Sequence, residues 1–372
     1  MFEFDVLHTD PSSAARAGRL HTPHGAVETP AFMPVGTAAT IKGVTCDHIA
    51  ASGSQMILAN TYHLLLRPGP ETVAALGDLH AMMAWDGPIL TDSGGYQVFS
   101  LAQMRTINDH GLVFQSHIDG SRVELTPERA IAVQEALGSD VIMQLDECAP
   151  HDAAGPALAE AVRRSALWCE RCLDAKTRAD QALFGIQQGG TDIKLRAASA
   201  EAIVPLDLPG YAIGGLSVGE GHQAMMDTLD ALDGQFPRAK PRYLMGVGEP
   251  RDILGAVARG VDMFDCVLPT RNGRNAFAFT FAGPLRLRNA KHARDPRPVE
   301  EGCPCLACQR YSRGTIRHFF AAEEMLGPTL LSIHNITFFA RFMARIRAAL
   351  AAGALAEFAQ PWLEQYYRST PD

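Results

Sequence analysis

This sequence lacks long apolar runs, a high density of cysteines and a basic first segment. A membrane-spanning helix needs roughly 18 uncharged apolar residues in succession, and no segment of the 372 residues approaches that. Eight cysteines are too few for a disulfide-stapled fold of this length. The chain begins Met-Phe-Glu-Phe-Asp, which is acidic where a secretory signal peptide is basic. We therefore expect a cytoplasmic enzyme with reduced thiols and no membrane partner.

Internal repeats, low-complexity linkers and a phosphate-binding loop of the Walker type are also absent, and no Ser-His-Asp arrangement stands out. The content of hydrophobic residues, 47%, and of charged residues, 20%, is that of an ordinary globular protein and excludes extensive disorder. The length allows two or three domains, or one large barrel with an appendage.

Acidic residues dominate, but the charge is unevenly spread. The net charge of the chain is −8, yet residues 269–318 hold ten basic and three acidic side chains, so that this segment carries +7 and the rest −15. A basic segment on an acidic protein indicates a local site for a polyanion, although a solvated basic face is the commoner meaning of charge alone.

Eight short apolar runs predict buried strands. Most are continuous rather than alternating, as in a parallel sheet that is covered on both faces. Helical patterns separate several of them, and 127–137 is the clearest, with Thr126 as its cap and Gly138 after its end. Eight strands alternating with helices predict an α/β fold of the (β/α)₈ (TIM) barrel type, with an open doubly wound sheet as the alternative. The predicted strands are 29–36, 55–59, 88–91, 140–145, 182–186, 210–213, 242–245 and 263–267.

Two connections are too long for a simple crossover. Residues 97–125 hold two short apolar runs, 113–118 and 122–125, around Asp119-Gly120, which is a hairpin signal, so we predict a β-hairpin insertion after the third strand. After the eighth strand comes the basic segment with a cysteine cluster. We therefore divide the chain into a barrel, 1–269, and a C-terminal zinc-binding subdomain with closing helices, 270–372.

The cysteine cluster Cys303-Pro-Cys305-Leu-Ala-Cys308 predicts a structural zinc site. Three thiolates within six residues suit tetrahedral Zn²⁺, which needs one further ligand. His334 is the preferred fourth ligand and His318 the competitor. A second pair, Cys169 and Cys172, lies three residues apart in a predicted helix, where core packing is the better interpretation.

Polar residues follow most of the predicted strands. In a barrel these strand ends converge on one face, where active sites lie. Two carboxylates facing one substrate suit glycosidic chemistry, one as nucleophile and one as acid/base. Asp146 and Gln188 could read the edge of a purine-like base, and Tyr96 and Met245 could enclose its faces. The strand ends that carry these polar residues are 90–97, 144–148, 186–190, 214–220, 245–249 and 264–266.

With these motifs in order along nearly the whole chain, the sequence resembles the bacterial-type queuine tRNA-ribosyltransferases, or tRNA-guanine transglycosylases. The segments that carry the resemblance are Asp-Ser-Gly-Gly-Tyr-Gln at 92–97, Asp-Glu-Cys at 146–148, Gln-Gln-Gly-Gly at 187–190, Gly-Gly-Leu-Ser-Val-Gly-Glu at 214–220, Met-Gly-Val-Gly at 245–248, Phe-Asp-Cys-Val-Leu-Pro-Thr-Arg-Asn-Gly-Arg-Asn at 264–275 and the Cys-x-Cys-x-x-Cys cluster with His334.

The resemblance implies a (β/α)₈ barrel with a zinc-bearing subdomain, and the exchange of guanine at the wobble position of GUN anticodons for 7-aminomethyl-7-deazaguanine in queuosine biosynthesis. It makes Asp265 the nucleophile, Asp92 the general acid/base and Zn²⁺ a structural ion on Cys303, Cys305, Cys308 and His334. The base-binding positions that it implies are Asp92, Ser93, Gly94, Gly95, Tyr96, Asp146, Gln188, Gly215, Leu216 and Met245.

The resemblance further implies two loops that contact the tRNA anticodon, a 7-deazaguanine base as small substrate, and a homodimer. Cys148 and Val218 match the bacterial form. A non-catalytic tRNA-binding paralogue would be expected to lose Asp92 or Asp265, and both are present. A glycoside hydrolase barrel with a zinc appendage is the other rival. The RNA-contacting positions implied are Gly246, Val247, Gly248, Glu249, Pro250, Arg251, Asp252, Thr270, Arg271, Asn272, Gly273 and Arg274.

Overall fold

The computed structural model describes residues 2–101 and 105–368 of the chain. Residues 102–104 of the predicted insertion, and residues 1 and 369–372 at the ends of the two predicted domains, lie outside the described residues.

The described residues form strands and helices that alternate through most of the chain. The strands are β1 (Glu3–Thr9), β2 (Arg16–Thr22), β3 (Gly25–Thr29), β4 (Ala31–Gly36), β5 (Ile57–Ala59), β6 (Ile89–Thr91), β7 (Arg105–Asn108), β8 (Gly111–Gln115), β9 (Arg122–Leu125), β10 (Val141–Met143), β11 (Ala182–Gln187), β12 (Gly210–Ile213), β13 (Arg242–Leu244), β14 (Met263–Cys266), β15 (Phe277–Ala278) and β16 (Leu285–Arg286). The helices are α1 (Cys46–Ser52), α2 (Thr61–Leu66), α3 (Pro70–Ala75), α4 (Asp78–Met83), α5 (Gly95–Leu101), α6 (Pro127–Leu137), α7 (Gly155–Ala175), α8 (Ile193–Ile203), α9 (His222–Ala231), α10 (Pro250–Ala258), α11 (Leu268–Arg274), α12 (Leu306–Arg310), α13 (Arg313–Ala321), α14 (Leu326–Ala351) and α15 (Leu355–Arg368).

Eight parallel strands close into a barrel in the order β4-β5-β6-β10-β11-β12-β13-β14. The last strand returns to the first, with Phe264 opposite Phe32 and Asp265 opposite Met33, so the barrel prediction is confirmed and the open doubly wound sheet is excluded. Each of the eight predicted strands supplies one barrel strand. Their apolar runs are continuous because one face packs into the barrel and the other against helices.

The interior of the barrel is filled with large apolar side chains. Met33, Phe184 and Met263 are fully buried there, in one cluster with Tyr243. Layers of such side chains make the inside of a (β/α)₈ barrel a packed core rather than a pore. The chemistry is therefore confined to the loops at the barrel's ends.

Helix α6 begins and ends as the sequence predicts. The Thr126 side chain accepts a hydrogen bond from the backbone N–H of Arg129, and Gly138 ends the helix with a φ of +78°. A positive φ is easy for glycine and costly for other residues. On α7, the next helix, Cys169 and Cys172 are fully buried free thiols that pack in the core, as interpreted from the sequence.

An antiparallel sheet of β1, β2 and β3 lies at the amino-terminal end of the barrel and was not predicted. Its Leu20 and Val27 are buried in the same cluster as the barrel's inner side chains. Arg16 of β2 forms a buried ion pair with Asp262, which directly precedes β14. These contacts attach the sheet to the amino-terminal end of the barrel.

The insertion after the third barrel strand contains the predicted hairpin. Strands β8 and β9 pair in antiparallel fashion around Asp119-Gly120, and Gly120 has a φ of +74°. A third strand, β7, pairs with β8 and makes the insertion a three-stranded sheet. The sheet is therefore larger than the predicted hairpin.

After β14 the chain forms α11, the short β15–β16 pair and four more helices. The 26-residue α14 packs against α11 and beside the cysteine cluster. On α15, the Trp362 ring lies 4.8 Å from the Phe342 ring, and its indole N–H donates to the Phe281 carbonyl. Among the described residues, no helix combines the length and apolar character that crossing a bilayer requires. The domain boundary at 269/270 stays a prediction, and α11 runs across it.

Candidate active site

A cleft of about 560 Å³ lies at the carboxyl-terminal ends of the barrel strands. Polar side chains from five strand ends reach it: Asn60 after β5, Asp92 after β6, Asp146 after β10, Gln188 after β11 and Asp265 on β14. The strand-end rule therefore places the predicted carboxylates together, since parallel strands deliver the residues that follow them to one face.

Asp265 presents one carboxylate oxygen to the cleft. Its Oδ1 accepts hydrogen bonds from the Tyr243 hydroxyl at 2.6 Å and from the backbone N–H of Gly246 at 2.7 Å. Burial raises the pKa of Asp265, and these two donors oppose the shift. With both donors on Oδ1, Oδ2 is the atom that remains for a substrate. A carboxylate held in this way has one orientation and one attacking oxygen.

Asp92 is buried and held by neutral donors. The backbone N–H of Thr61 donates to Oδ1 at 2.8 Å, and the side-chain amides of Asn60 and Gln97 donate to Oδ2. Burial raises the pKa of Asp92 to about 6, and the charge of Asp265 acts in the same direction. A carboxyl group with that pKa exchanges protons readily near neutral pH, which is what general acid/base work needs.

Asp146 is buried and accepts hydrogen bonds from two side chains of the cleft. The Ser93 hydroxyl donates to Oδ1 at 3.0 Å and the Gln188 amide donates to Oδ2 at 2.7 Å. Burial raises the pKa of this carboxyl group. Each carboxylate oxygen has two lone pairs, so Asp146 can accept further N–H donors from a ligand.

The remaining predicted base-binding positions lie around these carboxylates. Tyr96, at the start of α5, is half-exposed and lines the cleft together with Met245 after β13. Gly215 has a φ of +65°, and a side chain there would collide with the Gln188 amide oxygen. Gly94 and Gly95 form the turn from Asp92 into α5, and Leu216 is buried and also lines the cleft.

The two segments predicted as RNA-contacting loops are partly helical. Residues 270–274 lie in α11, and residues 250–252 form the first turn of α10. Several of their residues are buried and do not face solvent: Val247, Gly248, Pro250, Thr270 and Gly273. The positions left to face a ligand are Gly246, Glu249, Arg251, Asp252, Arg271, Asn272 and Arg274, of which Gly246, Glu249, Asp252 and Arg271 line the cleft.

Cys303, Cys305, Cys308 and His334 form a buried group that could bind a metal ion. The His334 Nδ1 atom lies 3.8, 3.6 and 3.3 Å from the three sulfur atoms. Zn–S bonds of about 2.3 Å and Zn–N bonds of about 2.1 Å at tetrahedral angles require S···N distances of about 3.6 Å. The donor set and its spacing therefore fit tetrahedral zinc. His318 is exposed on α13 and is not in the group.

Hydrogen bonds from the backbone orient this group. The Nε2 atom of His334 lies 2.8 Å from the Phe279 carbonyl, which leaves Nδ1 as the ligand atom. The neighbouring Asn335 side chain bonds the carbonyls of Pro269 and Phe277 and the N–H of Phe279. Asn335, next to His334, thus joins α14 to α11, which carries Arg271.

A second set of possible ligands, His24, His80 and Asp140, lies at the other end of the barrel. The two imidazole rings stack at 3.7 Å, and they bond different oxygens of Asp140. Stacked rings direct their ring nitrogens side by side rather than at one point. This set is therefore a hydrogen-bonded clamp and a poor metal centre.

The basic segment is largely on the surface. Within it Asp295 bonds Arg297 and approaches Arg313, so part of the charge is compensated internally. Seven of its ten basic side chains are exposed: Arg271, Arg286, Arg288, Lys291, Arg294, Arg297 and Arg310.

Several residues of the site were missed by the sequence analysis. Asn60 directly follows β5, the second barrel strand. Looking for polar residues at the carboxyl end of that strand, as was done for the other strands, would have found it. Tyr243 lies within a strand and reads as a core aromatic. Glu220 belongs to a motif that the resemblance used, and its carboxylate accepts from the backbone N–H groups of residues 217–219, which shapes the loop after β12.

Comparisons with known proteins agree along almost the whole chain. The family model described as queuine tRNA-ribosyltransferase matches residues 10–368. A protein of that name from Moorella thermoacetica is 53% identical over 363 residues, which cover 98% of this chain and 97% of the relative. A protein of the same name from Thermus thermophilus is 54% identical over 353 residues, which cover 95% of this chain and 92% of the relative. Another from Novosphingobium aromaticivorans is 52% identical over 371 residues, which cover 98% of this chain and 99% of the relative.

Proposed function

The chain belongs to the queuine tRNA-ribosyltransferase family, and from that premise we propose which residues carry out its reaction. It is a tRNA-guanine transglycosylase of queuosine biosynthesis. It replaces guanine at the anticodon wobble position with 7-aminomethyl-7-deazaguanine. The observation that carries the assignment of residues is the convergence of Asp92, Asp146 and Asp265 on one cleft, with one oxygen of Asp265 that accepts no hydrogen bond from the described residues.

Asp265 is the nucleophile. Cleavage of the bond between ribose and guanine builds positive charge on the sugar, and Oδ2 of Asp265 attacks C1′ as guanine leaves from the opposite face. The product is a covalent ester between the enzyme and the tRNA. The incoming base then displaces Asp265, so that two inversions give overall retention.

Asp92 handles the proton that this exchange moves. A departing guanine gains a proton on its glycosidic nitrogen, and an incoming base loses one there. Because burial raises the pKa of Asp92 to about 6, both its forms are accessible near neutral pH, and it can act as acid in the first step and base in the second.

Asp146 selects the base. Its carboxylate accepts from the ring N–H and the exocyclic amine of guanine or of a 7-deazaguanine, a donor pair that adenine lacks. Gln188 and the backbone at Gly215 complete the polar edge, while Tyr96 and Met245 enclose the ring faces. Burial raises the pKa of the Cys148 thiol, which also lines the cleft, to about 12, so it meets the base as a neutral group.

The tRNA binds through charge and reaches the cleft as a splayed loop. A base within a stacked anticodon loop is inaccessible, so the target nucleotide is extruded into the pocket. Arg271 lines the cleft close to Asp265, and the exposed arginines of the basic segment lie farther along the same part of the chain. They would hold phosphates of the anticodon arm.

The metal is zinc, and its role is structural. Three thiolates and one imidazole would fill all four tetrahedral positions, so no position remains for a substrate or water. When bound, the ion supplies cross-linking of the 303–308 segment to α14. Its effect on catalysis is indirect, through the support that α14 gives to α11.

Two further proposals concern the setting of the enzyme. All eight cysteines are free, which is consistent with the reducing cytoplasm where tRNA is found. The homodimer that the resemblance implies stays a prediction, and sedimentation of the purified protein would test it.

Incorporation of labelled guanine into purified tRNA tests the proposed function. We expect incorporation by the wild-type chain, none by Asp265→Asn, and no release of sugar from oligosaccharides. Binding of tRNA without incorporation would instead support a non-catalytic tRNA-binding subunit. Hydrolysis of oligosaccharides would support a glycoside hydrolase.

A further inference from the structure

Behind Gln188 and Gly215, which are proposed to bind the base, lies a buried arginine that the proposed reaction does not use directly. Arg196, on the first turn of α8, has no exposed surface. Its Nε, Nη1 and Nη2 atoms donate to the carbonyls of Gly190, Gln187 and Gly214 at 2.8, 2.9 and 2.8 Å. Those carbonyls belong to the ends of β11 and β12, which flank Gln188 and Gly215.

The charge of Arg196 is not balanced by an ion pair. No carboxylate of the described residues lies within ion-pair distance of its guanidinium group, and burial lowers its pKa to about 10. Burying a cation without a carboxylate is costly. A glutamine amide has two donors and could satisfy two of the carbonyls, whereas the guanidinium fork reaches all three from one rigid plane.

A second residue of the same helix face acts on the same segment. Ser199, one turn after Arg196, accepts the backbone N–H of Gln188 at 3.1 Å and is buried. Gly189 has a φ of +143°, and a side chain there would meet the backbone N of Arg196 at 2.8 Å. The chain between β11 and α8 is thus held against α8 on both sides of Gln188.

We infer that Arg196 and Ser199 are positioning residues for base recognition, which set the distance and angle between Gln188, Asp146 and the backbone at Gly215. This deepens the proposed function and rests on it. The Gln188 amide donates to Asp146 at 2.7 Å, so a shift of the Gln188 backbone moves the acceptors that read guanine. Neither positioning residue lines the cleft or contacts Asp265.

The test compares Ser199→Ala and Arg196→Lys with Arg347→Lys. Arg347 on α14 also donates to main-chain carbonyls, those of Pro30 and Glu28, but at the amino-terminal end of the barrel. Affinity for free guanine is measured by calorimetry and affinity for tRNA by gel shift. Melting temperatures are recorded for all the variants.

We expect Ser199→Ala to weaken guanine binding by about two- to tenfold, the value of one neutral hydrogen bond. Arg196→Lys, which keeps the charge but loses the fork, should weaken it by at least about tenfold. Affinity for tRNA should stay within about twofold, because phosphate contacts dominate it. Arg347→Lys should lower the melting temperature and leave guanine affinity unchanged.

Guanine affinity unchanged in Arg196→Lys, or lowered equally in Arg347→Lys, would overturn the inference. If Arg196→Lys does not fold, Ser199→Ala decides by itself, and an unchanged affinity there has the same meaning. Formation of a covalent adduct between the wild-type chain and tRNA, with no free base present, tests the proposed function separately. Its failure would refute the transglycosylation mechanism while the guanine affinities still decide the role of α8.

Discussion

Asp265 lies on β14, and Asp262 directly precedes that strand. Replacing each of them with asparagine should separate an effect on catalysis from an effect on the stability of the fold. Asp265 has both its donors, the Tyr243 hydroxyl and the Gly246 N–H, on Oδ1. The amide oxygen of Asp265→Asn can accept both, and its NH₂ group then faces the cleft. Since burial raises the pKa of Asp265 and so disfavours its charge, we expect this variant to be at least as stable as the wild type.

The same substitution at Asp262 should have the opposite effect. Arg16 donates to both Asp262 oxygens, at 2.9 and 2.6 Å, and the backbone N–H of Arg242 donates to Oδ2. An asparagine would turn its NH₂ group toward a donor and leave the buried Arg16 without its carboxylate partner. Breaking a buried pair in this way costs about 3–5 kcal/mol. Asp262→Asn should therefore lose that much of its free energy of unfolding.

The assay is the RNA–protein adduct that survives denaturation when enzyme and tRNA are mixed without free base. The wild-type enzyme should form this adduct, and Asp262→Asn should also form it below the melting temperature of that variant. Asp265→Asn should give less than about 1% of the wild-type yield, because an amide is not a nucleophile. If Asp265→Asn still yields the adduct, the roles of the carboxylates are wrong, and Asp92 becomes the first candidate for the nucleophile.

Four other changes test the remaining assignments. One zinc ion per chain is expected, and Cys305→Ser should reduce both the zinc content and the yield of folded protein before it affects catalysis. A metal-free preparation that is folded and active would contradict a structural role. Asp146→Ala should weaken guanine binding by at least about tenfold, because hydrogen bonds to a charged acceptor are lost, while fold and zinc content persist; unchanged guanine affinity would reduce the residue to a structural role. Affinity for tRNA should fall steeply as the salt concentration rises. Replacing Arg271 and Arg274 together should raise the KM for tRNA far more than the KM for the base. Equal effects on both substrates would refute the assignment of these arginines to tRNA binding. Because burial raises the pKa of Asp92 to about 6, kcat/KM for the incoming base should rise with pH through that value as the carboxylate forms, and a flat profile from about pH 5 to 7.5 would exclude Asp92 as the base.

The barrel and its polar rim could be predicted because both leave local marks in the sequence. A parallel strand that is buried on both faces reads as a continuous apolar run, and the residue after it reads as an abrupt change to Asp, Gln or Gly. The β1–β3 sheet leaves weaker marks, since β1 is mostly exposed. Its attachment depends on Arg16 and Asp262, which are 246 residues apart in the chain.

Contacts that depend on register were beyond the sequence. Tyr243 lies opposite Met263 in the barrel, and only that register brings its hydroxyl to Asp265 two residues farther on. The resemblance implied a loop at 270–274, but these residues lie in α11 although Asn272 and Gly273 disfavour helices. Packing overrides that preference: a side chain on Gly273 would collide with the backbone of Ser332 on α14, so glycine is what allows the two helices to approach.

The buried aspartates show how the two ends of the barrel divide their tasks. At the amino-terminal end Asp262 is paired with Arg16, and Asp140 bonds two imidazoles. At the cleft, Asp92, Asp146 and Asp265 accept only from amides, hydroxyls and backbone N–H groups, and no cationic side chain of the described residues lies within ion-pair distance of them. Neutral donors orient a carboxylate without cancelling its charge. The substrate supplies what is missing: N–H donors of the base at Asp146, a mobile proton at Asp92, and the positive charge that develops on the ribose at Asp265.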